Sequence, residues 1–386
     1  METYKRIPLA FESGSGAWLT DTMGNRYLDA LAGIAVCGLG HAHPDIQKAL
    51  SEQASKLVHT SNLYEIPLQQ QLADELCLLS GLEKAFFCNS GAEANEAAIK
   101  ICRKFGHEKG NPSPVIVVMN GSFHGRTLAT LTATDNSKIK VGFDPLIEGF
   151  IHVPYNDISA LEQVYKTCPG IVAVMLEPVQ GENGVVIPEH GYLKKVSQFC
   201  KDQDLLLVLD EVQTGMCRTG KWFACQHEQV LPDVMTLAKS LGNGVPIGAC
   251  LANEKAAAPM TPGSHASTFG GNPLCASAAL AVINYMRRHK MDQRVADLGI
   301  TMLEQLQHAL KDKDGVREVR GLGLMIGIEM DTDCLEIVSK AQKRNLLINV
   351  TAGNVIRLLP PLIISDDEAN QIIATVTDVV TEFVSG

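Results

Sequence analysis

The spacing of apolar and polar positions changes along the chain, and these changes predict where strands give way to helices. Near the start, GAWLTDTMGNRYLDAL alternates around the turn Met23-Gly24-Asn25, a pattern that predicts short strands. From about residue 66 the spacing becomes helical in LQQQLADELCLLS, which is amphipathic and is expected to stop at Gly81. KAFFCNS then predicts a short strand, and GAEANEAAIKICRKFG predicts a second helix.

Three later runs, SPVIVVMN, IVAVMLEP and LLLVLDEVQ, are apolar without polar alternation, as expected of parallel strands covered on both faces. Helical stretches such as GYLKKVSQFCKDQD separate them, so the sequence predicts a doubly wound α/β sheet. A long helix, NPLCASAALAVINYMRRHK, follows, and then a smaller α+β part with strands in LGLMIGIEM and NVIRLLPPL. We therefore predict a large domain over residues 51–287 and a small domain over residues 288–386.

Composition narrows the class of protein and of partner. A chain of 386 residues is too long for one ordinary small core. Its net charge of −10 argues against nucleic acid or an anionic membrane as the main partner, so an acidic substrate would have to be met by local arginines. The start shows no apolar signal segment, and the eleven cysteines form no C-x-x-C pair. We expect a cytoplasmic protein with free thiols and no metal site.

Polar residues follow the predicted strands, where α/β sheets bind their ligands. The Ser90-Gly91-Ala92 turn opens directly into a helix, whose N-terminal N–H groups suit a phosphate, although Ser90 could equally serve only as the helix cap. Asp210 ends an apolar run and is expected to be buried. A buried carboxylate needs a cationic partner, which could be a protonated cofactor ring nitrogen or an arginine. Taken singly, Asp210 fits a structural role as well as a functional one.

Lys239 is the one cation in the apolar run DVMTLAKSLGNGVPIGA, and a glycine-rich turn follows it. The pattern is compatible with a surface lysine at a strand end or with a buried reactive amine. Asp210 precedes Lys239 by about thirty positions and one predicted strand, which places both on one sheet edge. A lysine, a strand-end aspartate and a phosphate-binding helix start are together what a pyridoxal-phosphate enzyme requires.

Motifs of other classes do not appear. The sequence contains neither G-x-x-x-x-G-K-[ST] nor G-x-S-x-G, and its glycine clusters do not fit G-x-G-x-x-G. His41 and His43 could place two imidazoles together, but a third metal ligand is not evident and the pair flanks a turn at Pro44. A metal site is therefore disfavoured.

A series of motifs runs through the chain in the order LDALAGIAVCGLGHAHP, SGAEANEAAIK, FHGRTL, EPVQGE, LVLDEVQTG, LAKSLGNGVPIGA, STFGGNPL and IRLLPPL. This series resembles the class III (ornithine-type) aminotransferases over essentially the whole chain. Within that family the likeness is strongest to the acetylornithine aminotransferases, because of the short N-terminal segment, the AKSLGNGVPIGA form of the lysine segment, and FHGRT where ornithine δ-aminotransferases usually show FWGRT.

The resemblance implies a role for each matching position. Lys239 and Asp210 would be catalytic, Lys239 as the amine that carries pyridoxal 5'-phosphate and shuttles a proton. Contacts to that cofactor would come from Ser90, Gly91, Ala92, Phe123, Asp210, Glu211, Val212, Gln213, Lys239 and, on the partner subunit's cofactor, Thr268. Substrate contacts would come from Arg126, Glu182, Ser267 and Arg357. Arg126 would grip the donor's carboxylate, Arg357 would take the α-carboxylate of 2-oxoglutarate, and Glu182 would neutralise Arg357.

The same resemblance implies a fold-type-I transferase that works as a homodimer, with residues 1–50 joining the small domain and the active site at the interface. The implied reaction moves the ω-amino group of N2-acetyl-L-ornithine to 2-oxoglutarate. Succinylornithine, ornithine, 4-aminobutyrate and succinyl-diaminopimelate stay open as alternative donors. A different class, a cofactor-free α/β binding or regulatory protein, would be expected to lack Lys239 or Asp210, and both are present.

Overall fold

The computed structural model describes residues 1–385, which form three sheets and the helices that cover them. The strands are β1 Phe11–Ser15, β2 Trp18–Asp21, β3 Arg26–Asp29, β4 Lys84–Cys88, β5 Val115–Met119, β6 Phe150–Val153, β7 Ile171–Leu176, β8 Leu206–Asp210, β9 Val234–Leu237, β10 Gly248–Ala252, β11 Val316–Leu322, β12 Met325–Met330, β13 Leu346–Leu347, β14 Asn349–Thr351 and β15 Val355–Leu358. The helices are α1 Ala32–Ala35, α2 Pro44–Ala54, α3 Pro67–Ser80, α4 Gly91–Glu108, α5 Leu128–Ala133, α6 Ser137–Lys140, α7 Ile158–Thr167, α8 Tyr192–Asp202, α9 Glu254–Ala257, α10 Pro273–Arg288, α11 Met291–Leu310, α12 Ile337–Gln342 and α13 Asp366–Ser385.

The seven-stranded central sheet has the order β4-β10-β9-β8-β7-β5-β6. Strands β6, β5, β7, β8 and β9 pair in parallel, whereas β10 runs antiparallel to both β4 and β9. The three apolar runs that predicted parallel strands became β5, β7 and β8. The prediction of an α/β fold with a mostly parallel sheet is confirmed.

Alternate residues of β8 enter two different apolar clusters. Leu206 and Val208 pack in the cluster that contains α4, while Leu207 and Leu209 pack in the one that contains α8. Successive side chains of a strand point to opposite faces of the sheet, so both faces of β8 are covered. Because both faces are covered, β8 consists of apolar residues along its length, and polar residues occur only at its end.

The other two sheets lie toward the chain ends. β1, β2 and β3 form an antiparallel meander, and β13 adds to β3 in parallel, which joins residues 26–29 to residues 346–347. The third sheet has the order β11-β12-β15-β14 and is antiparallel. LGLMIGIEM, predicted as one strand run, spans the turn between β11 and β12. The domain boundaries at residues 50 and 287 stay a prediction.

His41 and His43 serve the local structure of the N-terminal segment. His41 Nε2 lies 2.8 Å from Asp29 Oδ2, and Asp29 Oδ1 accepts hydrogen bonds from the backbone of the left-handed turn α1. His43 caps α2 by accepting from the Asp45 N–H at 3.2 Å. Within residues 1–385, groups of three or more His, Cys, Asp or Glu side chains placed to hold a metal ion are absent. None of the helices described is long and apolar enough to cross a membrane.

His41 is expected to make the folded state less stable as the pH rises from 6.5 to 9. Hydrogen bonds to Asp29 and Cys37 raise the pKa of His41 from 6.5 to about 9. The folded chain then keeps a proton that the unfolded chain has lost, so this stabilisation is complete below pH 6.5 and disappears through pH 9. Across that window, wild type should lose on the order of 2 kcal/mol more unfolding free energy than His41→Asn, allowing for solvent screening.

Urea unfolding at pH 6.5, 7.5 and 9 measures this difference. His43→Asn is the matched control, because burial lowers the pKa of His43 and its loss leaves the His41–Asp29 pair intact. The control should lose stability with pH as steeply as wild type does. An equally steep loss in His41→Asn would contradict the assignment.

Candidate active site

One cavity at the edge of the central sheet collects most of the residues that the motifs predicted to be functional. It encloses about 380 Å³ beside the ends of β4, β8 and β9. The predicted residues that line it are Ser90, Gly91, Ala92, Phe123, Arg126, Asp210, Val212, Gln213 and Lys239. Residues far apart in sequence thus share one site.

Parallel pairing of β8 with β9 places Lys239 beside Asp210. Asp210 ends β8 and pairs with Thr236 on β9, and Lys239 begins a short 3-10 helix directly after β9. Lys239 has a φ of +44°, so the backbone turns sharply there. The turn continues through Gly242, where an added Cβ would lie 2.1 Å from the Val245 oxygen. Desolvation lowers the pKa of the Lys239 amine below its usual value.

Asp210 is buried and held by a network of donors. Asn95 Nδ2 donates to Asp210 Oδ2 at 2.7 Å, His124 Nδ1 lies 2.8 Å from the same oxygen, and the Val212 N–H donates to Oδ1 at 3.0 Å. Burial opposes a charge on His124, but the hydrogen bond and the attraction of Asp210 outweigh it, so the pKa of His124 is raised. Thr236 Oγ1 donates to Asn95 Oδ1 at 2.7 Å and fixes the orientation of the amide. Within the chain, the side chains that hydrogen-bond Asp210 are therefore an amide and a histidine.

His124 and Asn95 were not predicted to take part in the site. His124 stands beside Phe123 in the FHGRT motif, and Asn95 lies one helical turn after Gly91, so a weak signal existed in both motifs. Glu177 lies next to them, where it accepts the Phe123 N–H at 2.9 Å and where burial raises the pKa of its carboxyl.

The start of α4 forms the opposite wall of the cavity. Ser90 has extended backbone angles and its Oγ accepts the Glu93 N–H at 3.2 Å, so Ser90 does cap the helix. Gly91 is packed so closely that an added Cβ would lie 2.7 Å from Val212 Cγ1. The first N–H groups of α4 and the positive end of its dipole face the cavity, where they suit a phosphate. Capping and phosphate binding are compatible here.

Arg357 and Glu182 form an ion pair beside this cavity. Arg357 lies on β15, fully buried, and its Nη1 donates to Glu182 Oε1 at 2.6 Å. Gln213 contacts both, with Oε1 3.4 Å from Arg357 Nη1 and Nε2 donating to Glu182 at 3.4 Å. Burial is the largest influence on the pKa of Glu182 and raises it, but the attraction and hydrogen bond of Arg357, together with Lys239 and Gln213, leave that pKa below its usual value. Arg357 Nη2 has no hydrogen-bond partner among the described residues, so the guanidinium has capacity for a second carboxylate.

Glu211 faces away from the cavity, although it was predicted to contact the cofactor. Its carboxylate accepts the N–H groups of Ala224 and Cys225 at 3.0 and 2.9 Å and the hydroxyl of Thr214. Side chains alternate along a strand and its extension, so Asp210 and Glu211 cannot both point into one site. Glu211 fixes the loop that follows β8.

Ser267 and Thr268 also lie outside the Lys239 cavity of their own chain. They line a second cavity of about 790 Å³, together with residues of the segment 59–63. Asn89 Nδ2, from the wall of the first cavity, donates weakly to Ser267 Oγ at 3.4 Å and connects the two spaces.

The side chains of the Lys239 cavity fit a pyridine ring that carries a phosphate. Asp210 offers a carboxylate for a protonated ring nitrogen, Phe123 offers an aromatic face, and α4 offers N–H groups for an anion. Lys239 offers an amine that burial makes easier to deprotonate. Pyridoxal 5'-phosphate carries a group that is complementary to each of these protein groups.

Residues 1–380 match the family model described as Aminotransferase class-III. This chain belongs to the class III aminotransferases. An acetylornithine aminotransferase of Nitrosomonas europaea is 54% identical over 383 residues, covering 99% of this chain and 98% of that protein.

Solved structures of family members agree with the same fold. The ornithine aminotransferase of Toxoplasma gondii has a TM-score of 0.96 at 34% identity, covering 99% of this aminotransferase and 92% of that chain. The N-acetylornithine aminotransferase of Stenotrophomonas maltophilia has a TM-score of 0.86 at 37% identity, covering 99% and 98%. The resemblance stated from the motifs is confirmed.

Replacing His124 by Phe is expected to weaken binding of pyridoxal 5'-phosphate. The change removes a hydrogen bond to a charged carboxylate, worth roughly 1.5–3 kcal/mol, so the Kd should rise about tenfold or more. Fluorescence titration of the cofactor-free protein measures this Kd. His152→Asn is the control, because His152 Nε2 bonds to the Ala133 carbonyl outside the cavity. Equal affinities in all three proteins would show that His124 does not support Asp210.

Proposed function

We propose that this aminotransferase moves the ω-amino group of N2-acetyl-L-ornithine to 2-oxoglutarate, giving N-acetyl-L-glutamate 5-semialdehyde and L-glutamate, as a step of arginine biosynthesis. The observation that carries the proposal is the Arg357–Glu182 ion pair beside Lys239, which suits a site that must accept two different carboxylate-bearing substrates in turn. The relatives named acetylornithine aminotransferase match nearly the full length of the chain and support this donor.

The residues of the cavity divide the chemistry of group transfer among them. Pyridoxal 5'-phosphate, when bound, supplies an electron sink for the charge left as a proton leaves the carbon that carries the amino group. Lys239 holds or moves that proton at Nζ, because desolvation lowers the pKa of its amine and makes the neutral form easier to reach. Asp210, held in place by His124 and Asn95, would pair with the protonated ring nitrogen of the cofactor.

Two arginines in different surroundings take the substrate carboxylates. Arg357 is buried, and its position on β15 is fixed, so it suits the α-carboxylate of 2-oxoglutarate or glutamate. When an acyl-amino donor occupies the site instead, Glu182 stays paired with Arg357 and neutralises it. Arg126 is exposed at the cavity wall, with its guanidinium 5.8 Å from the Phe123 ring centre, and takes the carboxylate of that donor. Local arginines thus let a chain of net charge −10 bind acidic substrates.

A second copy of the chain completes the site in this proposal. Ser267 and Thr268 lie in the second cavity, away from Lys239 of the same chain, and the exposed side chain of Leu63 also lines it. The neighbouring positions of the chain carry further exposed apolar side chains, which are Leu57, Val58, Tyr64 and Phe269. A homodimer would cover this apolar surface and let Thr268 reach the phosphate held by its partner. Ser267 then approaches the substrate, and a cytoplasmic location fits the acidic, thiol-rich composition.

N2-acetyl-L-ornithine is expected to be the preferred donor. Its kcat/KM should exceed those of ornithine and 4-aminobutyrate by roughly tenfold or more, since a site built for a polar group rejects substrates that lack it. Steady-state assays across these amines and succinylornithine, with 2-oxoglutarate as acceptor, measure the ranking. Added acetylornithine should also bleach the yellow colour of the purified protein. A wide preference for ornithine or 4-aminobutyrate would refute the donor, and a colourless protein that does not take up the cofactor would refute the enzyme.

Glu182→Gln is expected to affect the two substrates in opposite directions. Without the carboxylate, Arg357 keeps an uncompensated charge, so the KM for 2-oxoglutarate should fall while kcat/KM for acetylornithine drops about tenfold. Steady-state kinetics with each substrate varied in turn measure both effects. Glu189→Gln, an exposed change in the same segment, should leave both constants unchanged. Parallel changes in the two substrates would contradict the proposed exchange of carboxylates.

A further inference from the structure

Arg218 is a fully buried arginine without an acidic partner among the described residues. Its side chain is among the largest of those that are completely buried. Burial alone lowers the pKa of its guanidinium to about 9. Neither Nε nor Nη2 has a hydrogen-bond partner in the described part of the chain. A charge in this setting costs several kcal/mol of desolvation, and no ion pair offsets that cost. Stability of the fold therefore does not explain why an arginine stands here.

The contacts of Arg218 join the loop after β8 to the third sheet. Its Nη1 donates to the Pro360 carbonyl at 2.7 Å and to the Leu324 carbonyl at 2.9 Å. The Leu324 N–H in turn donates to the Arg218 carbonyl at 3.0 Å. Leu324 lies in the turn between β11 and β12, and Pro360 lies two residues beyond the end of β15. Arg218 thus holds both segments at once.

The backbone of this loop is strained where it presents Arg218. Met216 and Cys217 have φ values of +56° and +67°, in the left-handed region that non-glycine residues rarely adopt. Strain of this kind costs roughly 1–3 kcal/mol per residue and persists only where the surroundings impose it. The strained loop and the unpaired buried charge are two independent departures from an optimally stable structure at one place.

The same loop reaches Arg357 at a second point. Gln213 Oε1 lies 3.4 Å from Arg357 Nη1. Arg357 lies on β15, three positions before Pro360, whose carbonyl accepts the hydrogen bond from Arg218. The loop itself begins at Asp210, beside Lys239. The loop after β8 therefore contacts the side chain of Arg357 through Gln213, and it contacts the backbone that follows Arg357 through Arg218.

We infer that Arg218 is a positioning residue, which fixes the end of β15 so that Arg357 meets the α-carboxylate of 2-oxoglutarate or glutamate at the correct distance from Lys239. The inference rests on the role of Arg357 in the proposed function. Arg218 itself touches neither the cavity nor the ion pair of Arg357 with Glu182. Its effect on the substrate passes through the backbone of residues 358–360.

The test compares Arg218→Met and Arg218→Lys with the wild-type holoenzyme. Arg218→Met should raise the KM for 2-oxoglutarate and the Kd of glutarate, an unreactive dicarboxylate, by tenfold or more, because small displacements of a carboxylate clamp have large effects. The KM for acetylornithine and the Kd of pyridoxal 5'-phosphate should stay within about twofold of wild type, because in the proposed function neither ligand binds to Arg357 and the Glu182 side chain remains to neutralise it. Arg218→Lys keeps a donor for one carbonyl and should show a smaller change in the same direction.

Isothermal calorimetry of glutarate, steady-state kinetics and the Tm of each variant together separate positioning from a merely structural role. Arg294→Met is the matched control, because Arg294 also donates to a backbone carbonyl after β15, that of Ile364, but at the surface. A lower Tm with unchanged glutarate affinity, or equal changes in the constants of both substrates, would overturn the inference. If Arg218→Met does not fold, wild-type glutarate affinity in Arg218→Lys overturns it. Glutarate binding reports on Arg357 whichever amine is the donor, so failure of the donor assignment is seen separately.

Discussion

The parallel pairing of β8 with β9 is the constraint on which the rest of the site depends. It brings Asp210 and the segment of Lys239 to one edge of the sheet, although the chain leaves that edge and returns to it in between. Apolar clusters cover both faces of these strands, so polar chemistry is confined to their ends. The start of α4 lies at the same edge, and its N–H groups complete a cavity with an acid, an amine and an anion site.

Charged groups around this cavity are arranged in pairs that limit the cost of their burial. His124 stabilises Asp210 on one side, and Arg357 stabilises Glu182 on the other. Lys239 lies between these pairs, and desolvation, the strongest influence on its amine, favours the neutral form. The low dielectric constant of the site strengthens each of these interactions, so a few residues suffice to bind acidic substrates to an acidic chain. The net charge of the whole chain has little influence on binding at such a site.

The third sheet contributes to the site through one strand. β15 carries Arg357 to the cavity, and the loop after β8 contacts both the side chain of Arg357 and the backbone beyond it. The position of this arginine therefore depends on packing between two sheets rather than on its own strand. Buried polar contacts of this kind specify one arrangement at some cost in stability, and Arg218 is the clearest instance in the described chain.

The sequence by itself indicated the apolar parallel strands β5, β7 and β8, several of the helices and the resemblance to the family. Apolar runs such as IVAVMLEP and the stop of α3 at Gly81 are local signals, and short motifs such as FHGRTL keep their meaning without the fold. The same local signals left Lys239 ambiguous, because an apolar run with one lysine does not show what surrounds the amine.

Only the tertiary structure decided which groups meet. His124 and Asn95 contact Asp210 across 86 and 115 positions, and Arg218 contacts Leu324 and Pro360 across 106 and 142 positions. Neither the periodicity of a segment nor the spacing within a motif can predict contacts between residues so far apart in the sequence. The antiparallel direction of β10 was likewise decided by its pairing with β9. Glu211 faces away from the cavity because side chains alternate along the strand and its extension. Sequence patterns report what a segment is, whereas desolvation and hydrogen bonding depend on what lies next to it in space.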